Sequence, residues 1–284
     1  DGGAPFREVL THGFVVDGEG RKMSKSQGNV IAPQEIYNTF GAEIVRLWVA
    51  SSNYSDDVRI SEEIIARLVE AYRKIRNTAR FILGNLYDFS PEGDWIDYDD
   101  LGAIDRYMLS VLECYKKSIS DGYDSKDERY MFHKAYKRIY DLCNNELSSF
   151  YLDMLKDRLY THGKKSKSRR GAQTVMYELL HCLVRLIAPI LSFTAEEIWQ
   201  HLPKRKQEQD IGSVHLLPWP QENARCHNEQ LTVELGKLFE LRDPILKSLE
   251  QARSAGKIGS SLEAKLILHL NVSWYAVFEK YLDD

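Results

Sequence analysis

Between Ser61 and Tyr87 the sequence sets Ile65, Leu68, Tyr72, Ile75, Ala79, Ile82 and Leu86 in steps of three and four. That spacing places all seven on one face of a helix, so the stretch must pack along a single seam against partners of similar length. Ser61 offers a hydroxyl to the first-turn amides, and Glu62 and Glu63 sit where the helix dipole is positive. Ser90-Pro91-Glu92-Gly93 cannot continue a helix, which sets its end near Tyr87. Three more helical stretches are expected, at about 102–120, 125–157 and 171–201. The last repeats the seam with Ala172, Val175, Leu179, Cys182 and Leu186. Pro189 should end or kink it, and Thr194-x-x-Glu197 reads as a capping box that restarts a helix before Trp199. Long antiparallel helices patterned in this way predict a helical bundle.

The flanks differ. "VLTHGFVV" (9–16) reads as a strand with Asp17-Gly18 supplying turn chemistry, Pro33 as the first position of a helix through Tyr37, and Gly41 to Ala50 as another helix. After "VHLLPWPQ" (214–221), one long helix is expected from about Asn228 to Ser254, stopped by Gly256, and "AKLILHL" (264–270) reads as a strand. The predicted fold class is mainly α, an antiparallel bundle preceded by a short α/β segment and followed by the start of a small α/β C-terminal subdomain. The corresponding segments are 1–60, 61–223 and 224–284. The chain starts at Asp1 without methionine and runs straight into strand-like sequence, which reads as cut from something longer.

A net charge of −4 removes bulk attraction to nucleic acid, so a polyanionic partner has to meet a local basic patch. Arg73, Arg76 and Arg80 fall at i, i+3 and i+7 beside the apolar seam, with Arg67 and Lys74 on the flank. They are either a solvated face making surface ion pairs or a surface that tracks phosphates. "HGKKSKSRRG" (162–171) carries five basic residues and reads as a solvated loop, with RNA phosphate as the sharper alternative. Asn77 suits a base edge or a buried amide, and Trp219 suits a stacked base or a plug at the end of the bundle. His133 and Lys137, one turn apart, would extend the basic face. The four cysteines have no C-x-x-C spacing, and Cys226-His227 and His181-Cys182 are too close in sequence to chelate one ion, so no metal site is expected. With no signal peptide and no membrane-length apolar run, a reduced cytoplasmic protein is expected.

"GRKMSKSQGN" (20–29) sets Lys22 and Lys25 on a glycine-flanked loop just ahead of a helix, as a solvated linker or as two ammonium groups awaiting an anion. A given five-letter string such as KMSKS arises by chance in roughly one chain of this length in ten thousand. The string resembles the second signature of class I aminoacyl-tRNA synthetases. "LTHGFVVDGEGRKMSKSQGNVIAPQEI", "GAEIVRLWVASSNYSDDVRIS", "YRKIRNTARFILGNL", "ELSSFYLDMLKDRLY", "SFTAEEIW" and "IGSSLEA" are similar to the bacterial isoleucyl-tRNA synthetase family, in that family's order. Valyl-tRNA synthetases are the neighbouring alternative. Ile75-Arg76-Asn77-Thr78-Ala79-Arg80-Phe81 fits the isoleucyl pattern better.

The resemblance implies ATP-dependent activation of isoleucine and its transfer to tRNA(Ile), in a monomer, with Mg2+ accompanying ATP. Lys22 and Lys25 would be the catalytic cations, and Met23, Ser24 and Ser26 would complete the ATP-binding loop. Charge building on the α-phosphoryl and departing pyrophosphate calls for positioned cations, and a lysine ammonium on a flexible stem can follow moving phosphates. Gly20 and Gly28 would let the loop swing. Residues 61–223 would be the anticodon-binding domain, with Arg73, Arg76 and Arg80 touching tRNA. The sequence holds no His-Ile-Gly-His signature and no G-x-G-x-x-G, so this chain is expected to be inactive alone. The family often ends in a cysteine-rich zinc module, absent from this sequence, so zinc would belong to a missing C-terminus. The remaining alternatives are a non-catalytic tRNA-binding module and a helical scaffold protein.

Overall fold

The computed structural model describes residues 3, 5, 6, 8–124, 130–260 and 263–281. Two units emerge, one made of Asp1–Trp95 with Cys114–Glu222 and the other of Ile96–Glu113 with Asn223–Asp284.

In the first unit, β1 (Val15–Val16) pairs in parallel with β2 (Val58–Arg59), Val15 opposite Val58. Only the last two residues of the expected 9–16 strand pair, because in this parallel register residues 9–14 fall opposite 52–57, which turn and form no strand. Gly13 passes so close to Asp56 that a Cβ there would sit 2.2 Å from the Asp56 carbonyl oxygen. The crossover holds α1 (Pro33–Phe40), with Pro33 in its first turn, and α2 (Ala42–Ser51), joined through Gly41 at φ +89°. Ile44 and Leu47 are buried, and the Trp48 indole donates to the Arg59 carbonyl at 2.9 Å.

The predicted seam becomes α3 (Glu62–Asn85), with the Ser61 hydroxyl accepting from Ile64 N at 3.2 Å. Ile65, Leu68, Ile75, Ala79, Ile82 and Leu86 are buried as expected. The chain continues with α4 (Ala103–Asp124) and α5 (Phe132–Asp141), which passes into a π-helical stretch, Leu142–Tyr151. Short α6 (Leu152–Met154) and α7 (Lys156–Tyr160) come next, then α8 (Lys167–Ile187) and α9 (Ser192–His201). α3 packs against α2, α8, α9 and the π-helical stretch. The expected single helix at 125–157 is thus several elements, and its first residues, 125–129, lie outside the described residues. The wide π turns carry Leu142, Cys143, Leu147, Phe150 and Tyr151 into the core.

α8 starts four residues earlier than expected, capped by the Ser166 hydroxyl on Arg169 N, and this changes the meaning of the basic run. Arg169 and Arg170 are 4% and 8% exposed. The Arg169 guanidinium forks onto both Asp88 carboxylate oxygens at 2.9 Å and also donates to the Leu159 carbonyl. Arg170 donates to the Asp88 carbonyl at 2.9 Å and lies 3.2 Å from Asp94. Gln173 donates to Asp88 Oδ1 and to the Asn85 carbonyl, both at 2.8 Å. Burial alone would raise the Asp88 pKa, but the hydrogen bonds from Arg169 and Gln173 outweigh it and hold the carboxyl below its usual range. Two of the five basic residues are therefore structural, and the solvated-loop reading fails for them.

The second unit holds Ala103–Glu113 of α4 and three later helices, α10 (Glu229–Glu240), α11 (Arg242–Ser254) and α12 (Val272–Lys280). The Asn228 side chain caps α10 by accepting from Leu231 N at 2.9 Å. The expected helix from Asn228 to Ser254 breaks at Leu241, because Pro244 brings no amide for the Glu240 carbonyl and its ring crowds that turn. Gly256, at φ +67°, ends α11 as expected. Residues 264–270 form no strand, and Leu266 and Ile267 are exposed. Past them the chain winds into α12, whose Lys280 holds Glu234 at 2.6 Å and lowers that carboxyl to about 2. Among the described residues, this unit is helical and no helix is long and apolar enough to cross a membrane.

Candidate functional site

The lysine loop is held by a polar clamp at its base. Asp17, 7% exposed, accepts from the Glu19 and Arg21 amides at 3.0 and 2.8 Å through Oδ1. Its Oδ2 accepts from Asn29 Nδ2 and Arg21 Nε, both at 2.9 Å. Asn29 returns an oxygen to Ser24 N at 2.9 Å, so one amide ties both ends of the loop. The Asn29 hydrogen bond, then the Arg21 amide, hold the Asp17 carboxyl far below its ordinary range. Ser24 caps a single 3-10 turn, Lys25–Gln27, accepting from Gln27 N at 3.3 Å, and its hydroxyl lies 3.1 Å from that of Ser26. Gly20 and Gly28 have φ of +82° and +67°, so each is needed for a left-handed turn, a role distinct from the swing expected of them.

With the backbone pinned, the side chains of Lys22 and Lys25 project into solvent. Lys22 Nζ lies 5.9 Å from the Phe14 ring, and among the described residues neither ammonium meets a carboxylate. Met23 is half-buried beneath them. The arrangement presents two cations at a fixed base with free heads, suited to a multiply charged anion such as a polyphosphate.

α2, which comes after the loop and α1, grips the corner between α8 and α9. Glu43 accepts from Phe193 N at 2.8 Å, from Thr194 N at 3.3 Å and from the Thr194 hydroxyl, so it caps α9 from 150 residues away. The capping box expected at Thr194 and Glu197 is thereby corrected: α9 begins at Ser192, and its cap comes from Glu43. One turn along α2, Arg46 donates to the Pro189 and Ile190 carbonyls at 2.8 and 2.9 Å. A carboxylate on the amide end of α9 and a guanidinium on the carbonyls after α8 both match the helix dipoles.

The arginine face lies along α3. Arg73 pairs with Glu70 at 2.6 Å. Arg76 Nη2 meets both oxygens of Glu197, at 2.9 and 3.0 Å. Arg80 is exposed and has no carboxylate partner among the described residues. Arg76, Asn77, Arg80, Thr194, Glu197 and His201 line a groove of about 660 Å3. A neighbouring hollow of about 470 Å3 shares Asn77 and Arg80 and adds Tyr87 and Tyr160, which are 69% and 64% exposed. Asn77 faces this groove and is exposed, which disposes of the buried-amide reading.

Trp219 donates to the Ser120 hydroxyl at 2.8 Å and meets the Tyr123 ring edge-on at 5.4 Å, the plug reading of the two. Lys137 is exposed and His133 half-buried on α5. Among the described residues, no three His, Cys, Asp or Glu side chains converge to hold a metal ion. Sequence reasoning missed Glu197 as an arginine partner, and it missed Tyr87 and Tyr160. The signal for Tyr87 was its position just past the α3 seam; Tyr160, at the end of α7, carried none.

Residues 105–268 match the family described as the anticodon-binding domain of tRNA ligase, and residues 1–61 match tRNA synthetases class I (I, L, M and V). The chain is 49% identical over 283 residues to the isoleucine–tRNA ligase of Natranaerobius thermophilus, covering 100% of this chain and 30% of that protein. It is 48% identical to that of Geobacter sulfurreducens, with 100% and 30% covered. The chain thus spans 30% of the length of these curated relatives. Its fold is similar to the LeuRS of Agrobacterium radiobacter in the LeuRS–tRNA–LeuAMS ternary complex, with a TM-score of 0.59 at 25% identity, covering 79% of this chain and 25% of that one. A methionyl-tRNA synthetase of Mycobacterium tuberculosis, solved with methionyl-adenylate, shares the fold at TM-score 0.55 and 20% identity, covering 74% and 42%.

Proposed function

We propose that this chain, which belongs to the anticodon-binding family of tRNA ligases, supplies a cytoplasmic, monomeric isoleucine–tRNA ligase with its KMSKS loop and its tRNA anticodon-binding helices. The observation that carries the reading is the pair of free ammonium groups, Lys22 and Lys25, on a loop whose backbone is clamped by Asp17 and Asn29. In the whole enzyme they meet the phosphates of ATP, with Met23, Ser24 and Ser26 shaping the loop around the nucleotide. Mg2+ arrives with ATP and neutralises phosphate charge; no residue of this chain is assigned to it. Residues 1–60 end the catalytic part, 61–223 form the antiparallel anticodon-binding bundle, and 224–284 begin a C-terminal subdomain.

On its own the chain should show no isoleucine-dependent ATP–pyrophosphate exchange, because the lysines act only on a nucleotide held against them. Exchange above background in the isolated chain would mean the active site is misplaced.

tRNA(Ile) meets the α3 face, where Arg80 is the cation most ready to pair with a phosphate. Binding by the chain should be micromolar or weaker and should fall with salt. Arg80→Gln should flatten the log–log salt slope by about one unit, and Arg76→Gln with Arg80→Gln by up to about two. Glutamine keeps helix propensity, so circular dichroism should be unchanged. An unchanged slope in a folded double variant would return these arginines to surface ion pairing.

A further inference from the structure

Arg76 and Glu197 form an incomplete pair. Both carboxylate oxygens crowd one nitrogen, Nη2, in place of the parallel fork that makes arginine–carboxylate pairs strong. Arg76 Nε is buried with no hydrogen-bond partner among the described residues. The two side chains stay 42% and 56% exposed, at the wall of the groove that also holds Arg80 and Asn77. An exposed pair of this kind is weak, because water screens it and both side chains lose freedom to hold it. The guanidinium is therefore part exposed at an open groove, with a carboxylate parked on one of its nitrogens and its Nε turned away from solvent.

We propose that Glu197 is an intramolecular competitor for the RNA phosphate that binds Arg76, so that an RNA must displace it to use this groove in full. The inference rests on the reading of the α3 face as an RNA surface. A phosphate that reaches the exposed part of the Arg76 guanidinium takes Nη2 from Glu197, and with Arg80 on the same groove wall it meets two cations where the carboxylate met one. A backbone that reaches Arg80 alone leaves Glu197 on Arg76 and gains no second cation. Glu197 thus sets a standing cost, the breaking of its own pair, on every RNA that uses Arg76. Glu197 is fixed for this role by α9, whose N-terminus is held by Glu43 three residues earlier at Thr194.

The experiment is a titration of the chain with a tRNA(Ile) transcript and with a non-cognate tRNA transcript at several salt concentrations. Glu197→Gln should tighten tRNA(Ile) by about threefold to tenfold and the non-cognate RNA by no more than that, and should steepen the salt slope by up to about one unit for an RNA that newly reaches Arg76. The gain should vanish when Arg76→Gln is added, leaving the double variant within twofold of Arg76→Gln alone. Glu63→Gln, which removes a charge paired with Arg67 outside the groove, controls for a general field effect. Circular dichroism and a thermal midpoint confirm folding. If Arg80→Gln weakens binding but Glu197→Gln does not tighten it beyond Glu63→Gln, the competition is overturned and the RNA surface stands. A gain that survives Arg76→Gln also overturns it. Binding indifferent to Arg80→Gln would overturn the surface itself, and the competition with it.

Discussion

On the proposed function, Lys25→Ala in the full-length protein should lower the rate of isoleucine activation by roughly 10²–10³-fold, on the scale of one lost preorganised charge, about 3–4 kcal/mol. Isoleucine affinity should change little, because the charge that Lys25 meets develops chiefly in the transition state. The loop geometry sharpens this expectation. Lys25 opens the 3-10 turn capped by Ser24, and its neighbours are tied to Asp17 and Asn29, so the truncation removes a charge without unfolding the loop. Pre-steady-state measurement of adenylate formation, with isoleucine binding followed separately, reads both quantities. Turnover within about twofold of wild type would mean the loop is no phosphate clamp, whatever its spelling.

Asp88→Ala should destabilise the first unit by about 3–5 kcal/mol, the cost of removing one partner from a buried ionic cluster. Arg169 and Arg170 would be left buried, their guanidinium groups without the carboxylate that now takes the Arg169 fork. The Asp88 carboxyl titrates below its unfolded value, about 3.9, so its stabilisation is fully present above that pH. It is lost as pH falls through the lower folded value. Urea denaturation at pH 7 and near pH 3 should therefore show the difference between wild type and Asp88→Ala shrinking with acid. A loss under about 1 kcal/mol at pH 7 would mean that water reaches the arginines and the cluster is not buried in solution.

The elements whose partners lie in their own sequence were the legible ones. α3 announced itself through the seam and through Ser61, since its hydrophobic face and its N-cap are both local. Pro33 and Gly256 did the same for a helix start and a helix stop. Residues 162–171 misled because a basic run looks identical whether its partner is water or a carboxylate 81 residues away, as Asp88 is from Arg169. Thr194-x-x-Glu197 misled for the same reason: its letters fit a local cap, but Glu43, 151 residues back, holds the Thr194 amide. The 264–270 run shows the opposite failure, an apolar stretch that becomes a strand only if a neighbour offers a ladder. In the candidate site, the two lysines were readable from their motif. Their clamp was not, because Asp17 and Asn29 are each ordinary turn residues until the fold brings them together. The groove beside Arg80 needed α9 in place before Glu197 could be seen at all.

The grip of α2 on the α8–α9 corner has a consequence for how docking of the front segment can be watched. The amides of Phe193 and Thr194 belong to the first turn of α9, where a helix offers them no acceptor of its own. Their acceptor is the carboxylate of Glu43. Slow solvent exchange at these two positions is therefore a gauge read on one element of the seating of another, and it loosens when the segment carrying the lysine loop slips even while every turn of α9 stays wound.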